Sequence, residues 1–143
     1  MSAADDLQSL ADLCAAAAHQ CLDEIVALGV KPTDAAPGLV WEQTRDHLED
    51  QMGNLSAMAT KLSSEAVLAV LDAAAGDLGD LADATQNAQQ EIKQIQKISD
   101  FITRASQILD VGLAVLALAS APSVSAAQTL ADKIKALATP LAG

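Results

Sequence analysis

Residues 3–29 read AADDLQSLADLCAAAAHQCLDEIVALG, and this stretch decides the fold. Leu7, Leu10, Cys14, Ala17, Cys21 and Leu28 recur at three-four spacing, with Leu22 and Ile25 widening the stripe. That period puts one apolar face on a helix and nothing comparable on a strand. Asp5 or Asp6 can cap the first turn or complement its dipole, and Gly29 can end the helix in a left-handed turn.

The whole chain agrees with its first helix. It has 143 residues, and 51% of them are apolar, but aromatics are 1% (Trp41 and Phe101). Alanine (31) and leucine (20) supply most of the remainder, so good helix formers abound and strand formers are scarce. The expected fold is all-α: an antiparallel helical bundle of four to five helices, one domain over 1–143, with at least one long coiled-coil-like helix.

The chain beyond Gly29 divides at its prolines and glycines. Residues 31–38, KPTDAAPG, read as a loop. A second helix is expected from near Leu39, with Trp41, Leu48, Met52, Leu55, Ala59 and Leu62 on its stripe. Ser63-Ser64-Glu65 either breaks the chain or recaps a new helix, and residues 65–75 are apolar nearly all round. Gly76 and Gly79, among Asp77 and Asp80, mark a turn or kink. The stripe resumes as Leu78, Leu81, Thr85, Ala88, Ile92, Ile95, Ile102 and Leu109, with Ile98 and Phe101 beside it. Unbroken from Asp77 to Ala119, this helix would be about 65 Å long. The alternative is a break near Ser99-Asp100, and the continuous rod is the expectation. Pro122 ends it, Ser123 or Ser125 caps a last helix to about Ala138, and Pro140 stops that one.

Charge narrows the function. The net charge is −11, with 10 acidic and 2 basic residues over 1–54 against 2 and 3 over 101–143. Eight scattered basic residues do not make the clustered positive surface that nucleic acid requires, so no nucleic-acid partner is expected. The acidic start, Met1-Ser2-Ala3-Ala4-Asp5-Asp6, is not a secretory signal, and no run of 18 apolar residues reads as an ordinary span. The expected setting is cytoplasmic, with a signal-independent export route left open. Cys14 and Cys21 lie about 10 Å apart along one helix, too far to bridge, and read as reduced core residues.

No catalytic constellation is visible. His19 and His47 lack the glutamate three residues earlier that a di-iron bundle would use; Ala16 and Thr44 stand there instead. No catalytic, cofactor or metal residues are assigned, and the chain is expected not to be an enzyme. Two features carry the functional reading. Glu42, Asp46, Glu49 and Asp50 form an acidic face around Arg45 and His47, a candidate docking surface for a basic partner. The stretch 108–121 contains Val111-Gly112-Leu113-Ala114-Val115-Leu116-Ala117-Leu118-Ala119 with no polar side chain, of which Val111, Leu113, Val115, Leu116 and Leu118 are candidate inserting residues. The first expectation is an interaction protein (adaptor, chaperone-like, inhibitor or assembly subunit) with a protein partner or self-association. The alternative is a membrane-active component that exposes 108–121, a layout that resembles helical pore-forming proteins at the level of fold only. A membrane partner is the less favoured of the two.

Overall fold

The computed structural model describes residues 3–64, 81–121 and 123–139. Among them are five helices and no strand: α1 (Ala3–Ala27), α2 (Ala35–Leu62), α3 (Leu81–Ile92), α4 (Ile98–Ser120) and α5 (Val124–Ala138). The all-α bundle read from the composition is the fold. The apolar segment 65–75, the glycine turn at 76 and 79, Leu78, Pro122 and Pro140 lie outside the described residues.

Local chemistry sets most helix ends. Asp5 and Asp6 both fall inside the first turn of α1, so they complement its dipole rather than cap it. Gly29 follows α1 with φ +67°, the left-handed conformation a glycine adopts without strain. The loop after it is shorter than expected. Asp34 takes the extended N-cap conformation and α2 starts at Ala35, four residues before Leu39. Pro37 sits in that first turn, where its missing N–H costs nothing. The Ser123 hydroxyl accepts the Ala126 N–H at 3.0 Å and caps α5.

The continuous rod to Ala119 is corrected. The chain leaves the helix after Ile92, and the N–H groups of Gln94 and Ile95 both return to the Glu91 carbonyl at 2.9 and 3.2 Å. Lys97 then takes an extended conformation and α4 begins at Ile98, so the break precedes Ser99-Asp100. No glycine or proline marks it. Its gain is burial: the turn lays α3 against α1 and α5, covering Leu81, Ala84, Ala88 and Ile92. A rod would leave part of that stripe in water, at about 25 cal/mol for each Å² of apolar surface exposed.

Packing directions follow from which residues meet. α1 and α2 pair most extensively and run antiparallel, since Trp41 reaches Leu28 while Ala59 shares a cleft with Ala15. α2 and α4 run parallel, with Gln51 on Ile102 and Met58 on Gly112. α4 and α5 run antiparallel, with Arg104 at Leu137 and Lys133 facing Asp110. The core is almost wholly Leu, Ile, Val and Ala from all five helices, with Phe101, Cys14 and Cys21 among them.

Asp6, Gln51, Thr85 and Arg104 are the buried polar residues among those described, and two of them make hydrogen bonds from one helix to another. Arg104 is fully buried. Its Nη2 donates to both Glu91 carboxylate oxygens, at 2.9 and 2.7 Å, and to the Thr139 carbonyl at 2.7 Å. Its Nη1 donates to Gln107 Oε1 at 2.6 Å and to the Leu137 carbonyl at 2.9 Å, with Ala136 O at 3.4 Å. The guanidinium thus caps the carboxyl end of α5 and ties it to the end of α3. Gln51 is the second, 3% exposed. Its Nε2 donates to the Ile102 carbonyl at 3.0 Å and to Ser106 Oγ at 2.9 Å.

Candidate functional site

The surface around α2 concentrates what is not explained by the core. Among the described residues, Val26, Val30, Leu39 and Val40 are exposed large hydrophobics on or beside the α1–α2 elbow, and Leu22 is another farther back along α1, in a cleft with Met52 and Ser56; Leu113 and Val124 are the others. The elbow itself is well fastened. The Trp41 indole donates to the Leu28 carbonyl at 3.3 Å, and the Arg45 guanidinium stands 5.5 Å from the Trp41 ring centroid. Lys31 pairs with Glu42 across the loop. Leu28, Pro32, Pro37, Val40, Trp41 and Ile102 line an apolar groove of about 360 Å³ there.

The acidic face follows the elbow along α2. Glu42, Asp46, Glu49 and Asp50 are all exposed. They divide by partner. Glu42 is held by Lys31, and Glu49 by Arg45 at 2.9 Å. Asp46 and Asp50 have no cationic partner among the described residues. Their separation of four places them a turn apart, where like charges repel. Both line a cleft of about 520 Å³ between α2 and α4, with His47, Gln51 and Asn54 from α2 and Ser106 from α4.

The inserting segment is mostly inside. Val111 and Val115 are fully buried and Leu118 is 2% exposed; Leu116 is half-buried against the core, and Leu113 is 57% exposed. By length and composition α4 could cross a membrane, but half of its most apolar window is covered by the bundle. Gly112 makes that covering close: a Cβ there would stand 2.7 Å from Met58 Cγ and Sδ.

The histidines and thiols do not converge. His19 is exposed beside Met52 and Ser56, and His47 is exposed in the α2–α4 cleft. Cys14 and Cys21 are free and buried in the α1 core face. Burial pushes both thiols up to about 12, with the Glu24 charge adding to the effect at Cys21. Among the described residues no group of three or more His, Cys, Asp or Glu side chains could hold a metal ion.

Gln51 and Arg104 escaped the sequence reading. Both sit at core positions of a three-four pattern, Leu48-Gln51-Leu55-Met58-Leu62 on α2 and Phe101-Arg104-Ile108-Val111-Val115-Leu118 on α4. A polar residue in such a row is the signal that finds them. The comparisons add no relative: no protein-family model, no curated protein and no solved structure matches the chain.

Proposed function

We propose that this protein is a helical-bundle interaction protein that binds another protein through the α1–α2 elbow and the acidic face beside it. The observation that carries the reading is the set of exposed Val26, Val30, Leu39 and Val40 about the α1–α2 elbow, with Glu42, Asp46, Glu49 and Asp50 exposed farther along α2. Exposed apolar side chains gathered in one region, rimmed by charge, mark interaction surfaces. The matching partner is apolar at its centre and basic at its rim. Acidic charge along α2 steers such a partner and selects against acidic ones.

The test is a comparison of two baits. The wild-type chain recovers a protein from native lysate, and a variant carrying Glu42→Lys, Asp46→Lys, Glu49→Lys and Asp50→Lys loses it. Recovery falls as salt rises, because exposed charges are screened beyond about 8 Å at physiological ionic strength. Equal recovery by both baits at every salt concentration overturns the reading.

A further inference from the structure

We propose that two copies of this chain exchange α5, so that the Arg104 of each copy holds the helix end of the other. The second copy thereby completes a site that lies apart from the α1–α2 elbow.

α5 sits at the edge of the bundle. It packs chiefly on α3 and α4, whereas α1 meets α2, α3 and α4 directly, and α2 meets α4. Its buried side chains are Leu130, Ile134 and Leu137, all in its second half, and none of residues 124–129 is buried. The seat for that second half is specific. Arg104 donates to the Leu137 and Thr139 carbonyls at 2.9 and 2.7 Å. These acceptors are main chain, and the apolar anchors are the same in every copy, so the seat takes α5 from either chain with equal geometry. Vacating it does not strand a charge. The guanidinium keeps Glu91 and Gln107 and regains water, recovering the hydration that burial removed.

The connection favours exchange. α4 ends at Ser120 and α5 begins at Val124, leaving Ala121, Pro122 and Ser123 between them. Ala121 stands at φ −144°, ψ 80° and Ser123 at φ −158°, ψ 162°, so neither extends a helix. Proline disfavours a helical conformation at the residue before it, and short hinges invite exchange of the element they carry. Val124, 87% exposed, follows the hinge directly. Where two hinges run side by side about a two-fold axis, each Val124 is covered by the other copy.

The test uses the wild-type chain. Unlabelled and isotope-labelled copies are mixed in equal amounts and refolded from urea at about 1 mM, the effective concentration of a segment on a short linker. The dimer is isolated by size exclusion and treated with a carbodiimide, which joins a neighbouring carboxylate and amine into an amide. Lys133 on α5 lies 3.9 Å from Asp110 on α4, and Lys31 in the loop pairs with Glu42 on α2. Exchange gives Lys133–Asp110 cross-links of mixed isotope, in the proportion set by random pairing of chains, while Lys31–Glu42 cross-links keep a single isotope. A dimer whose Lys133–Asp110 cross-links are all of single isotope keeps α5 on its own chain and overturns the proposal. Mixed isotope at both pairs overturns an exchange confined to α5. A chain that stays monomeric at this concentration overturns it as well.

Discussion

Arg104 and Glu91 meet where two helices end, with the guanidinium wholly buried and the glutamate side chain 29% exposed. One nitrogen, Nη2, serves both carboxylate oxygens and the Thr139 carbonyl. The positive charge therefore answers a formal anion and the negative end of the α5 dipole together. Only Nε of this guanidinium is without an acceptor.

Removing one partner should cost more than removing both. Glu91→Ala strands a buried cation, and we expect a loss of about 3 kcal/mol in urea denaturation, the lower end for a buried pair because Glu91 is partly solvated. The double variant Glu91→Leu with Arg104→Met should recover part of it. Recovery stays incomplete, since the Ala136, Leu137 and Thr139 carbonyls lose their donor. Strictly additive costs would show that the pair does not act as a unit.

At Gly112 the expected loss comes from added volume. The new methyl of Gly112→Ala would meet Met58 Cγ and Sδ at 2.7 Å. Alanine gains about 1 kcal/mol in helix propensity, and overpacking costs about 1–3 kcal/mol. We expect a net loss near 1 kcal/mol, and less than additive losses when Met58→Ala makes room. Chemical denaturation of the four-member cycle checks both.

Alkali should destabilise the fold through its thiols. Cys14 and Cys21 stay protonated in the folded chain until about pH 12, against an ordinary value of 9.0. Above pH 9 the unfolded chain releases these protons and the folded chain does not, so their contribution is complete below pH 9 and is lost between pH 9 and 12. The Cys14→Ala, Cys21→Ala variant should show a flatter decline of stability over that window. At neutral pH, a thiol reagent should react with the native chain only at the rate of its opening.

The apolar segment of α4 separates a core from an inserting tip. Val115→Asp should unfold the chain, because the carboxylate would replace a fully buried methyl pair. Leu113→Asp, at a site 57% exposed, should leave the helical circular dichroism unchanged. Liposomes loaded with dye should stay sealed at neutral and acidic pH. Release by the wild type that Leu113→Asp abolishes would favour the membrane-active reading.

The helices were legible where one period runs without interruption. Leu7, Leu10, Cys14, Ala17 and Cys21 are all fully buried, as their spacing predicts, and Gly29 and Ser123 end and start helices as their chemistry suggests. The row from Ile95 through Ile102 and Leu109 was misaligned by one residue. Those three are half-buried, and Phe101, Ile108 and Val115 are the fully buried ones. The turn at 93–97 resets the helical phase, and nothing in KQIQK, free of glycine and proline, announces it. Arg104 and Gln51 were missed for a related reason: each side chain becomes intelligible only when a distant carbonyl faces it. The acidic face was legible, but its division into paired glutamates and unpaired aspartates depends on where the elbow brings Lys31.

The Arg104 clasp makes the final helix indispensable rather than ornamental. A protease that trimmed the polypeptide ahead of Ala136 would take away three carbonyl acceptors of the guanidinium at once and leave Glu91 and Gln107 alone to hold it. Clipped molecules would be the unstable ones, and cellular quality control would clear them before intact copies.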